Sequence, residues 1–259
     1  MRTFLGGLDV FFTSARMQFA AMTSFLAVAL AGVIQPVAFL LITLLPIHDP
    51  TVAQNTTVAS SVLLTSFWSS TVWGAASILR IERAQGTLVK ALTGVRDPRI
   101  VVLAKGLTSS VVSIVSVMVT VSVCLALLAR PISIQLPLLY ALGLAITALS
   151  GAAVGLLVGS VFVLTRHGAQ VSSALMYPIF LLGGMMIPLS AVPSPLSWVS
   201  GLVSLRWIQE FLVSAAAGAP HFLSLTIASA LTLAYGMCGF YVFKLVVIRA
   251  RRDGEIDFI

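Results

Sequence analysis

Runs of twenty or more apolar residues, almost free of charge, decide what this chain can fold into. Hydrocarbon offers no partner to a backbone N–H or C=O, so such a run must satisfy its own hydrogen bonds as a helix or join a closed barrel. A barrel would show short alternating strands, and these runs are long and continuous. Hydrophobic residues make up 59% of the 259 and charged ones 9%, which leaves room for about six helices of ~20 residues each. The expected fold is an all-α membrane protein forming a single domain over 1–259. Its spans are expected at 19–45, 58–79, 100–128, 136–164, 170–188 and 222–247, with Pro36 kinking the first.

Charge orients these spans. The formal net charge is +7, but the Lys and Arg residues cluster beside span ends, where membrane topology accounts for them, so nucleic acid is not an expected partner. All of them except Arg130 and Arg206 fall on one side, which is assigned to the cytoplasm together with both termini. Termini on one side require an even number of spans. The stretch from Ala169 to Phe222 must therefore hold one span, followed after Pro188, Pro193 and Pro195 by a re-entrant helical pair at about 196–217. Arg206 and Glu210, four apart there, could pair on one helix face. Before the first span, Phe4, Leu5, Leu8, Phe11, Phe12 and Ala15 make one side of an interfacial helix over 1–17. A charged tail occupies 249–259. Asn55-Thr56-Thr57 fits a glycosylation sequon and is discounted as a chance match, and Cys124 and Cys238 are read as inert thiols.

Between the second and third spans lies the densest charge in the chain, Arg80 to Arg99. Leu88, Ala91 and Leu92 form a helical stripe there, ended by Gly94 and Pro98, giving a short helix over 81–93 at the membrane face. Such a helix suits docking to a soluble partner, and equally an ordinary basic loop that fixes topology. The pattern Glu82-Arg83-x-x-Gly86-Thr87-Leu88, with Leu92-Thr93 and then Lys105, resembles the coupling region of the ABC transporter type-2 permeases. Val89 stands where that pattern usually has an acid, Gly94 where it has proline, and Lys105-Gly106 reverses the usual order. A second stretch, from Tyr177-Pro178 through Gly183-Gly184 to Pro188 and Pro193, is similar to that family's signature before its last span.

The resemblance implies a permease subunit in the bacterial inner membrane that works with ABC ATPase subunits and a second permease, identical or homologous. Glu82, Arg83, Gly86, Thr87, Leu88 and Leu92 would couple it to the ATPase, with Arg166 and His167 as further contacts. ATP and Mg would be bound by that partner, and no cofactor is expected in this chain. The chain contains no Gly-x-x-x-x-Gly-Lys-Ser/Thr phosphate loop, and no nucleophile, carboxylate pair or metal cluster suggests catalysis. No Asp, Glu, Lys or Arg lies near the middle of any span, where ion-coupled carriers usually place relays.

Two stripes remain inside the spans. Gly143, Thr147, Gly151, Gly155 and Gly159 recur every four residues and let helix backbones approach, within one subunit or between two. Ser109, Ser113, Ser116 and Thr120 share one face of the third span, and the second span carries Ser66, Ser69, Ser70 and Ser77. Such hydroxyls can bond within the bundle or line a mildly polar path. The candidate path residues are Ser66, Ser70, Ser109, Ser113, Ser116, Thr120, Tyr177 and Met185. A path with hydroxyls and no fixed charge suits amphipathic or hydrophobic cargo, so efflux of a drug, antibiotic or lipid is expected, with antibiotic resistance as one consequence. The alternatives are export of a lipid-linked polysaccharide, a carrier or channel without an ATPase, and a membrane scaffold.

Overall fold

The computed structural model describes residues 2–23, 26–74, 78, 98–164, 178–185 and 197–252. Every regular element among them is helical. In chain order the elements are α1 (Arg2–Thr23), α2 (Leu26–Leu44), α3 (Val52–Trp73), α4 (Pro98–Leu127), α5 (Pro137–Leu164), α6 (Ser197–Gly201), α7 (Ser204–Ala216) and α8 (Phe222–Arg252). Helix α1 continues past the expected end of an interfacial segment, because no Gly or Pro stands between Arg16 and Thr23 to stop it. The helix after it therefore begins at Leu26 instead of near residue 19.

Among the described residues, three helices are long and apolar enough to cross a membrane, over Arg99–Leu127, Pro137–Val161 and Phe222–Ile248, with a shorter apolar stretch at Gly32–Leu44. Helix α3 does not reach that standard, because Ser60, Ser61, Thr65, Ser66, Ser69, Ser70 and Thr71 dilute its apolar content. Yet it is the most enclosed helix of the bundle: residues 62–71 are all buried. Helices α2, α4, α5 and α7 surround it, α8 lies along α5, and α1 lies along α4. A helix rich in hydroxyls is best kept away from lipid, so the most polar span becomes the central one. The outward faces are apolar instead, with Val111, Val115, Val119 and Val123 on α4 and Leu233, Met237, Tyr241 and Leu245 on α8.

The ends of the helices are built by recognisable caps. Thr51 and Gln54 form a reciprocal capping box at the start of α3. Helix α4 ends in a Schellman turn, with Ala129 N–H donating to Ala126 O and Arg130 N–H to Leu125 O. Ala129 occupies the left-handed position of that turn at φ 51. Gly218 does the same after α7 at φ 83, where only a residue without a Cβ leaves room for the Gln135 side chain.

Asn55 is 1% exposed and its amide donates to Pro131 O at 3.0 Å, so the sequon is closed to modification in the folded chain. Cys124 and Cys238 are free thiols.

Candidate functional site

The polar interior of this bundle is organised by α3 and falls into two parts. The first is a rim at the end carrying the α2–α3 and α4–α5 connections. There Asn55 reaches Pro131 O, and Thr56 Oγ1 accepts from Ser133 N–H at 3.1 Å. Ser60 shares a hydrogen bond with the Tyr140 hydroxyl at 3.0 Å, and Gln209 Nε2 donates to Ser61 Oγ at 2.8 Å. Gln135 N–H donates to Ala216 O, closing the α4–α5 connection onto α7. Away from that rim, halfway along α5, Ser150 and Ser204 of α7 share a bond at 2.8 Å. Glu210 lies 3.4 Å from the His221 ring, while Arg206 donates to Ser200 Oγ and stacks on the Trp207 ring at 4.9 Å. These bonds tie α3, α5, α7 and the start of α8 to one another.

The second part is a seam where α3, α4 and α5 meet, halfway along α5. Gly151 of α5 stands at its centre. A Cβ on Gly151 would strike the Phe67 ring and lie 2.9 Å from Ser110 Oγ and 3.1 Å from Thr71 Oγ1. Close by, a Cβ on Gly74 would lie 2.9 Å from Ser109 Oγ. Gly106 of α4 rests on the Ala152 backbone, so the α4–α5 approach is a backbone contact. Gly155 and Gly159 are buried further along α5, and Gly239 of α8 presses on Leu156 and Leu157. Gly143 packs on Phe211 and Leu212 of α7. The contacts of Gly143 and Gly151 described above are therefore made within the one subunit.

The candidate path residues divide between these regions. Ser66, Ser70, Ser109 and Ser113 are buried inside the bundle. Ser116 and Thr120 instead face α2. Pro36 has no N–H, which leaves the Gly32 carbonyl one turn back without its usual donor. Thr120 Oγ1 lies 3.3 Å from that carbonyl and 3.0 Å from Ser116 O. Ser116 Oγ stands 2.8 Å from where a Gly32 Cβ would be, so Gly32 lets the two helices close. Met185 is buried in the same core cluster as Phe180 and Phe67. Glu82, Arg83, Gly86, Thr87, Leu88 and Leu92, with Arg166, His167 and Tyr177, lie outside the described residues.

Thr71, Ser110, Asn55, Tyr140 and Gln209 are polar participants that reasoning from sequence missed. The adjacent pair Ser109-Ser110 was the available signal for Ser110: two hydroxyls in succession on an apolar helix point to two different neighbours.

The segment bearing Glu82 to Leu92 joins the end of α3 to the start of α4. Val102 of α4 packs with Leu156 of α5 and with Phe243 and Val246 of α8, and Gly7 of α1 abuts Ile100. The start of α4 and the far parts of α5 and α8 thus gather at one end, opposite the rim. A family model described as ABC-2 type transporter matches residues 10–217. None of the curated proteins compared matches the chain.

Proposed function

The chain belongs to the ABC-2 type transporter family, and from that premise we propose that it is the membrane-spanning subunit of an exporter. Its role as a multi-pass permease of an ABC transporter follows from the family itself. The proposal adds cargo, direction and drive: an amphipathic or hydrophobic compound leaves the cytoplasm or inner leaflet of a bacterial inner membrane, driven by ATP hydrolysis in a separate subunit. Two permeases and two ATPase subunits form the working complex. The rim faces outward, and the opposite end, with both termini, faces the cytoplasm.

The observation that carries this reading is the charged segment Glu82 to Leu92, which falls inside the matched region and joins the end of buried α3 to the start of α4. A push on that segment acts directly on the central helix of the bundle. ATP can shift the bundle between two states only if the ATPase contacts those states differently, and the segment is the lever for that difference. Arg166 and His167, following α5, make a second contact. Ser66, Ser70, Ser109 and Ser113 supply the polar face of the path. The absence of charge along α3, α5 and α4 beyond Lys105 suits uncharged groups of the cargo.

Replacing Gly86, Thr87 and Leu88 each with Asp tests the lever. Stimulation of the co-purified ATPase by the permease should fall at least tenfold while the chain still inserts. Undiminished stimulation overturns the docking role.

A further inference from the structure

Helix α8 turns an apolar face to lipid, with Leu233, Met237, Tyr241 and Ile248 exposed. Lys244 interrupts that face and is itself exposed. Between Phe222, where α8 begins, and Lys244 the helix advances ~33 Å, close to the ~30 Å thickness of a hydrocarbon core. Lys244 thus stands at the edge of the hydrocarbon, at the end of the bundle opposite the rim.

One side of Lys244 borders lipid and the other borders protein. Phe240 and Val247 share its stripe by helical spacing. Both are partly buried against the cluster around Val102, as is Leu103 of α4. Arg99 stands one turn before Leu103 on the same helix. Helices α4 and α8 each pack on α5 and make little contact with each other. The furrow between them is floored by Leu156 of α5. Its charged groups are Arg99 and Lys244, and α4, α5 and α8 carry no carboxylate. Asp9, the one carboxylate described at this end, belongs to α1, which touches α4 through Gly7 and Ile100. Ile100 lies about 200° around α4 from Val102, so α1 covers the opposite side of that helix. A cation at the border of hydrocarbon is costly unless an anion meets it. The anion that a bilayer offers at this level is a lipid phosphate.

We propose that the furrow between α4 and α8 holds an anionic phospholipid of the inner leaflet. A headgroup with net negative charge, of the phosphatidylglycerol type, sits on Lys244 and Arg99, and one acyl chain lies along Leu103 and Phe240. The lipid is resident and is not cargo. It steadies the start of α4, the helix into which the charged segment leads. The assignment rests on the topology proposed above, which puts this end at the cytoplasmic face, and is independent of what the protein exports.

The test uses the full-length chain in mild detergent, offered equal amounts of phosphatidylglycerol and phosphatidylcholine with identical acyl chains, and native mass spectrometry counts the lipid retained. Phosphatidylglycerol should be preferred about fivefold or more. Lys244→Gln should bring the ratio close to one, while Lys244→Arg should preserve it. Arg16→Gln removes an exposed cation of α1 and should leave the ratio unchanged. No preference in the unaltered chain overturns the site. Equal losses from Arg16→Gln and Lys244→Gln also overturn it, by showing attraction to the whole basic surface. The competing occupant is the chain's own acidic tail. Joint replacement Asp253→Asn, Glu255→Gln and Asp257→Asn should not alter the ratio, and a several-fold gain would assign the furrow to the tail and refute the lipid site. ATPase stimulation by the unaltered chain is measured separately: lipid preference without stimulation upholds the site and removes the transporter reading.

Discussion

The hydroxyls of Thr56 and Ser60, near the start of α3, and those of Ser66 and Thr71, further along the same helix, meet opposite fates. Thr56 and Ser60 each reach another segment of the chain, Ser133 and Tyr140 respectively. Ser66 and Thr71 are as deeply buried and bond to nothing. Composition does not separate the two regions. The rim is joined across helices by amides and hydroxyls, whereas the seam is held by shape alone, with Phe67, Thr71 and Ser110 filling the space beside Gly151. Directional bonds fix one arrangement of helices, while apolar contact permits several of similar energy. One end of the bundle is thereby fastened by directional bonds, while the contact at Gly151 is held by packing.

This contrast can be broken or sharpened by substitution, scored as unfolding midpoints in mild detergent. Phe67→Ala should have the largest effect, about 3–5 kcal/mol, since the ring is fully buried and lies directly against Gly151. Adding Gly151→Ala to it should recover part of that loss, because the new methyl occupies the vacated space, and strict additivity would contradict a seam held by shape. Gly151→Ala alone should cost about 1–3 kcal/mol by overpacking. Next comes a matched pair on one helix: Thr56→Val should cost about 1 kcal/mol by leaving Ser133 N–H without its partner, whereas Thr71→Val should be neutral or stabilising. Equal losses from both would erase the distinction between rim and seam. The smallest effect belongs to Ala129→Gly, which should gain roughly 0.5–1 kcal/mol by relieving a left-handed alanine at the rim.

Much of the architecture could be read from residue types. Continuous apolar runs identified α4, α5 and α8, Pro36 lies inside α2 as expected, and the four-residue glycine spacing on α5 marked a helix that others approach closely. The central position of α3 was not legible. Hydroxyls at every turn read equally well as a face toward water and as a face hidden from lipid, and only the packing of four neighbouring helices decides between them. Nor was the division of the serine stripe on α4 legible. Ser109 and Thr120 share a face by periodicity, yet one confronts Gly74 and the other serves α2, because α2 meets the Ser116–Thr120 part of α4 at Gly32. The extension of α1 to Thr23 followed from the absence of a stop signal, which is weaker information than the presence of one. At the α4 turn, Ala129 occupies a conformation that composition would have reserved for glycine.

The proline in α2 has one further consequence. A missing amide on one helix has been answered by a hydroxyl on another, so Gly32 and Thr120 act as a rivet between α2 and α4. Pulling the two apart would strand a carbonyl in hydrocarbon. During any rocking of the bundle they should travel as a single strut, and the bond from Gln35 Nε2 to Ser69 Oγ at 2.6 Å ties α3 to it as well, which leaves α5 as the member without such a tie to α2 among the described residues.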